Sequence, residues 1–151
     1  IGLMGKVADG VLENHGKVIG VIPEFLRQKE VAHEGLTELV VVQNMHERKA
    51  KMFELCDGMI TLPGGWGTME ELFEMLTWSQ LALHDKPVGV LNINAYYDSL
   101  VALIKTMQSE GFLKKDYFEM FLYDEDLEAL FAKMEQRSQL RLVKKMDFSK
   151  T

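Results

Sequence analysis

With 151 residues, 47 % apolar and 26 % charged, the chain has the length of one domain and enough apolar surface to order itself, which excludes a disordered polypeptide. Its 17 Lys and Arg against 23 Asp and Glu leave a net charge of −6, which disfavours nucleic acid as a partner, and no basic run stands out before Arg141–Lys145. The longest apolar run, Leu39-Val40-Val41-Val42, is strand-sized, far short of the roughly 18 residues that cross a bilayer, so no membrane span is expected. One cysteine, Cys56, excludes an intrachain disulfide and fits a reducing, cytoplasmic compartment. Because the first residue is Ile1 and not Met, the expectation is that the true N-terminus lies upstream.

Along the chain, short β-branched runs alternate with helical patterns. The spacing predicts a helix over 4–14, stopped at Asn14-His15-Gly16, then a strand Val18-Ile19-Gly20-Val21-Ile22 ended by Pro23. Leu39–Val42 is a second strand. The helix over 46–56 carries Met45, Met52, Phe53 and Cys56 on one side, with Glu47 four residues before Lys51 on the wet face. Met59-Ile60-Thr61-Leu62, ended by Pro63, precedes a helix over 68–82 with Leu72, Met75, Leu76 and Ser79 on one stripe. Val88-Gly89-Val90-Leu91 comes next, then a helix over 98–109 bearing Leu100, Leu103, Ile104 and Met107 and stopping at Gly111. A fifth strand, Met120–Tyr123, and a helix over 125–135 with Leu127, Leu130, Phe131 and Met134 complete the pattern.

The strands are apolar throughout, as expected when both faces are covered. The fold class is therefore α/β, a Rossmann-like parallel sheet with helices on both faces, and without linker or repeat it forms a single domain over 1–151. Right-handed crossovers place the strands' C-terminal ends on one edge, where open α/β sheets bind ligands.

The densest chemistry lies on that edge, in Pro63-Gly64-Gly65-Trp66-Gly67-Thr68-Met69-Glu70-Glu71. Three glycines in four positions free backbone N–H groups to face a ligand, the helix N-terminus adds partial positive charge, and Thr68 adds a hydroxyl; together they make an anion site. No Lys follows the glycines, so this is not a Walker A loop, and the dinucleotide G-x-G-x-x-G is absent. The plain alternative is a tight turn in which the glycines only satisfy geometry. Thr68 to Glu71 has capping-box spacing, so Glu71 either caps the helix or sits beneath a bound anion, while Glu70 points about 100° away. Trp66 either covers a ligand or packs under the loop.

A second cluster, Met45-His46-Glu47-Arg48-Lys49, begins the helix after Leu39–Val42. Arg48 aligns with Met52 and Leu55 and leans toward buried surface. Its stem either covers apolar area there or, at the ligand edge beside the neighbouring anion loop, the side chain contacts the ligand, and that position favours ligand contact. The four histidines are scattered, so no metal is expected. Cys56 lacks a nearby His, and there is no G-x-S-x-G elbow.

These residues resemble the lonely-guy (LOG) family of cytokinin riboside 5′-monophosphate phosphoribohydrolases, a family long mislabelled as lysine decarboxylases. Its signature P-G-G-x-G-T-x-x-E is matched from Pro63 to Glu71, and its upstream R-K pair by Arg48-Lys49. The likeness continues through Leu76-Thr77-Trp78, Gln80-Leu81, Leu83 to Gly89, Asn92, Tyr96-Tyr97 and Glu110-Gly111-Phe112, and at the front through Gly2-Leu3-Met4-Gly5. Family members carry a first strand, a helix and a second strand before that front segment, so the resemblance implies that an N-terminal βαβ unit is missing here.

What the resemblance implies is hydrolysis of the N-glycosidic bond of a nucleoside 5′-monophosphate, AMP or N6-modified AMP, to free base and ribose 5-phosphate. Gly64, Gly65, Trp66, Gly67 and Thr68 would hold the phosphate, with Met69, Glu70 and Glu71 completing the binding segment. Glu71 would be the catalytic carboxylate, stabilising positive charge on the ribose or orienting water. Arg48, the family's other catalytic residue, stays protonated and would position the ligand. Glu30, Lys49 and Thr77 would line the substrate site. No cofactor is needed, and nothing marks a Schiff-base Lys for pyridoxal phosphate. The resemblance also implies a homodimer. The competing expectation is a non-catalytic carrier of a nucleotide or of molybdenum cofactor.

Overall fold

The computed structural model describes residues 2–27 and 35–148, with side chains placed as far as residue 139. The chain forms two compact units, Ile1–Cys56 and Asp57–Thr151. Both are built as the sequence predicts, from parallel strands flanked by helices.

The first unit contains α1 (Leu3–Glu13), β1 (Ile19–Pro23), α2 (Glu24–Arg27), β2 (Glu38–Val42) and α3 (Met45–Leu55). α1 stops at the expected place by a Schellman closure: His15 N–H bonds Leu12 O at 3.0 Å and Gly16 N–H bonds Val11 O at 2.8 Å. The left-handed residue there is His15, with φ 59°, and not the glycine. Gly16 is needed for a different reason, since a Cβ on it would lie 2.6 Å from Val11 Cγ1.

β1 and β2 pair in parallel from Ile19↔Glu38 to Pro23↔Val42. Here one expectation fails: this pair is not covered on both faces. α3 packs against both strands, and Val42 is buried, but Leu39 and Val41 on the other face of β2 each remain 37 % exposed. A strand's period of two divides a uniformly apolar run into one covered and one open face.

The second unit contains β3 (Met59–Thr61), α4 (Trp66–Gln80), β4 (Val88–Leu91), a 3₁₀ turn (Ile93–Ala95), α5 (Asp98–Ser109), α6 (Lys115–Phe118), β5 (Phe121–Asp124) and α7 (Leu127–Phe148). Its sheet has the order β3-β4-β5, all parallel. β4 is buried at every position, as a central strand covered on both faces must be. α7 packs on β4 and β5, closest at Gly89, where a Cβ would lie 2.7 Å from Met134 Sδ and 3.1 Å from Leu130 Cδ1. Leu72, Val90 and Leu130 have no exposed surface.

The α4 stripe is as expected, with Leu72, Met75 and Ser79 buried. On α5 the buried face is Val101 and Ile104, continuing from Tyr97, whereas Leu103 is 50 % exposed. Among the described residues no helix is long and apolar enough to cross a membrane. Leu130→Ala should cost about 2–5 kcal/mol, because the rigid Gly89 contact leaves a cavity that cannot collapse. Urea unfolding checks this, and a loss below about 1 kcal/mol would mean that α7 is not part of the cooperative core.

Candidate active site

β3 ends at the buried Thr61, and the chain runs through Leu62, Pro63 and Gly64 to Gly65, the N-cap of α4. The first intrahelical bond runs from Met69 N–H to Gly65 O at 3.1 Å, and no side chain caps the helix. Thr68 is therefore the third helical residue, and the capping box read at Thr68–Glu71 does not form. Glycine is itself an accepted N-cap, and it lets the helix begin before the first residue able to cap it through a side chain.

A reciprocal cap does form at α3. Asn44 Oδ1 accepts from Glu47 N–H at 2.9 Å, and Glu47 Oε2 accepts from Gln43 N–H at 2.9 Å. That engagement takes Glu47 away from Lys51, which bonds Glu54 at 3.1 Å instead.

The three loop glycines are required by different things. A Cβ on Gly64 would sit 2.8 Å from Thr68 Cβ, because the threonine folds back over the loop. Gly65 and Gly67 have no such neighbour: among the described residues nothing lies within 4 Å of a Cβ on either, and neither has a positive φ. Gly65 has φ −98° and ψ −148°, off the usual extended region, so its backbone has a use for glycine; Gly67, inside the helix, has none. What the missing side chains leave is open space before the N–H groups of the first turn, which have no partner within the helix.

Trp66, the first helical residue, is 93 % exposed, so its ring does not pack under the loop. Glu70 is exposed and Glu71 half-buried, as their 100° separation predicts. Glu71 lies four residues after bare Gly67, on the same face of α4. Met69 is half-buried. Gly64 to Glu71 thus come together on one loop and the first two turns of α4.

Thr77 stands apart from them. It lies nine residues beyond Thr68, roughly 14 Å along the helix axis, and donates to Phe73 O at 2.7 Å. It lines a separate cavity of about 110 Å³ with Phe73, Leu76, Ile104 and Met107.

In the first unit, Arg48 and Lys49 occupy α3 directly after β2. Arg48 is half-buried, and its Nε is buried with no hydrogen-bond partner among the described residues. A donor withdrawn from water in this way costs about 1–3 kcal/mol until an acceptor reaches it. Lys49 is 8 % exposed and lies on the inward face with Phe53 and Cys56, whereas Met45 and Met52 are 36 % and 40 % exposed. His46 is exposed, and Cys56 is a free thiol 3.4 Å from Phe53 O. Glu30 lies outside the described residues. Among the described residues no group of three His, Cys, Asp or Glu could hold a metal ion.

Two residues at the loop escaped the sequence reading as site components. Tyr97, 2 % exposed, donates to Leu62 O at 2.6 Å, and Tyr96 donates to Gly64 O at 2.8 Å. Burial pushes the Tyr97 hydroxyl above the usual tyrosine range, adjacent Tyr96 adds to the rise, and a backbone bond with Gly64 offsets part of it. At the end of β5, the Lys133 ammonium, 2.7 Å away, holds the Asp124 carboxyl below the usual carboxylate range. The available signal for the tyrosines was their position: two hydroxyl-bearing rings just past the C-terminal end of β4, the ligand edge.

A family described as "Possible lysine decarboxylase" matches residues 4–134. The chain is similar to a "Probable cytokinin riboside 5′-monophosphate phosphoribohydrolase" of Oryza sativa subsp. japonica, 48 % identical over 136 residues, covering 90 % of this chain and 61 % of that protein. It is also similar to a cytokinin riboside 5′-monophosphate phosphoribohydrolase of Rhodococcoides fascians, 50 % identical over 133 residues, 87 % of this chain and 67 % of that one. An Arabidopsis thaliana enzyme of the same name is 44 % identical over 135 residues, 89 % of this chain and 59 % of its own. The chain thus spans about three-fifths of the length of most of these relatives.

Proposed function

The chain belongs to the family described as possible lysine decarboxylases, and from that premise we propose that the protein hydrolyses the N-glycosidic bond of nucleoside 5′-monophosphates. The substrate class we propose is AMP or N6-modified AMP; the relatives are named for cytokinin riboside 5′-monophosphates. The observation that carries this reading is the open space at Gly65 and Gly67, where no described atom lies within 4 Å of a Cβ, in front of a helix N-terminus with no side-chain cap. Main-chain N–H groups there meet a doubly negative phosphate at low cost.

In this reading Thr68 donates its hydroxyl to the phosphate. Glu71 faces the ribose, where its negative charge stabilises the cation that develops at C1′ as the base departs. Water supplies the hydroxyl to C1′, and its remaining proton ends on the base. For Arg48 we propose a positioning role, its buried Nε, without a partner among the described residues, being a donor for the ligand, because a guanidinium stays protonated and cannot act as a base. Lys49, Thr77, Glu30, Met69, Glu70 and Trp66 are proposed as further substrate contacts on the family likeness alone. No cofactor enters the scheme.

We read both units as parts of one nucleotide-binding domain, which the family match supports by running across both. We further propose a homodimer, with exposed apolar side chains such as Leu81, Leu83 and Phe112 of the second unit available for a partner surface. A cytoplasmic location is consistent with the free thiol of Cys56.

The direct test is a panel of AMP, GMP, CMP and N6-prenyl-AMP assayed for free base by chromatography. Release from the adenine monophosphates is the expected result. Tight nucleotide binding without release from any of them would replace the hydrolase with a carrier.

A further inference from the structure

One peptide in the loop has little in its own covalent structure to hold its orientation. The Gly64–Gly65 peptide lies between two residues without Cβ atoms, and glycine accepts both signs of φ. Such a peptide can turn about its long axis and exchange the side faced by its N–H for the side faced by its C=O. In a planar trans peptide the two groups point in opposite directions, so anchoring the oxygen also aims the donor.

The structure supplies that anchor. Tyr96 Oη donates to Gly64 O at 2.8 Å, while Tyr97 Oη holds Leu62 O, two residues earlier, at 2.6 Å. The two rings meet edge to face, 4.8 Å between centroids and 88° between planes. Their backbone is fixed as well: Asn92 Oδ1 accepts from Tyr97 N–H at 2.6 Å, and Asn92 Nδ2 donates to Asp98 Oδ1 at 2.8 Å. Immediately before the pair, Asn94 and Ala95 both adopt left-handed conformations, with φ 53° and 57°. Two such residues in succession, neither a glycine, persist only where the surrounding structure requires them.

We propose that Tyr96 is a positioning residue for the anion loop: its hydroxyl pins the Gly64 carbonyl on the side away from the ligand and so presents the Gly65 N–H to the substrate's phosphate. Tyr97 fixes the end of β3 against which this clamp works. The inference rests on the phosphate reading of the loop and assigns it a part that the glycines alone do not provide. With the clamp gone, the peptide turns freely, and its carbonyl oxygen spends time facing a group that it repels.

Tyr96→Phe tests this, because phenylalanine keeps the ring and its edge-to-face contact and removes only the hydroxyl. KM for AMP and the calorimetric Kd for ribose 5-phosphate should both rise about tenfold, with kcat falling far less and the thermal midpoint unchanged. A ring that serves only to pack predicts no change in either constant, and KM and Kd equal to wild type would overturn the clamp. The two readings fail separately. Wild-type protein that releases no base, yet binds ribose 5-phosphate with this dependence on Tyr96, would remove the hydrolase and keep the clamp. Base release with an affinity indifferent to Tyr96 would do the reverse.

Discussion

Glu71→Gln should lower base release from AMP by about a thousandfold or more while leaving the Kd for ribose 5-phosphate within about threefold of wild type. The substitution is close to isosteric and glutamine is as good a helix former as glutamate, so α4 is expected to keep its shape. What disappears is one negative charge. As the bond to the base lengthens, positive charge grows on the ribose, and a carboxylate half-buried on the second turn of α4 acts on it through a medium that screens less than water. A neutral amide in the same place offers only a dipole. Because that charge develops in the transition state and not in the bound substrate, the loss falls on kcat more than on affinity. Single-turnover measurement of free adenine beside calorimetry of ribose 5-phosphate separates the two. Full activity in the variant would reduce Glu71 to an ordinary residue on the helix flank.

The parts of this architecture that were legible in the sequence are those set by local rules. Short apolar runs located all five strands, two of them ended by Pro23 and Pro63, and 3.6-residue spacing found the Leu72–Met75–Ser79 face of α4. The glycine loop was legible for the same reason, since bare residues between a strand and a helix have few physical uses. What local rules missed depends on contacts distant in the chain. The tyrosine clamp joins residues 32 and 35 positions apart, and no periodicity announces it. The left-handed pair Asn94-Ala95 sits in the turn just before the two tyrosines, and alanine gives no hint of such a conformation. Lys49 looked like one half of a charged pair and is the buried residue of α3, a burial that its tertiary neighbours decide. The start of α4 was misplaced by two residues because a capping box is recognised by its side chains, whereas this helix begins on a glycine.

Adenosine should be hydrolysed with kcat/KM at least about a thousandfold below that of AMP. Each charge-assisted hydrogen bond from a fixed N–H to a phosphate oxygen contributes about 1.5–3 kcal/mol, and the first turn of α4 offers several such donors together with the Thr68 hydroxyl and the positive end of the helix. Three of them amount to roughly 5–9 kcal/mol, of which a factor of about a thousand needs only 4. The phosphate is remote from the bond that breaks, so its binding energy can hold the ribose against Glu71 and offset the entropy of that placement. A truncated substrate should therefore lose kcat as well as affinity, a loss that extra adenosine cannot restore. Adding inorganic phosphate or phosphite to the adenosine reaction examines the same point from the other side: filling the loop should recover part of the rate. Equal kcat/KM for AMP and adenosine would mean that the glycines face nothing during turnover, and the open space at Gly65 and Gly67 would then need another occupant.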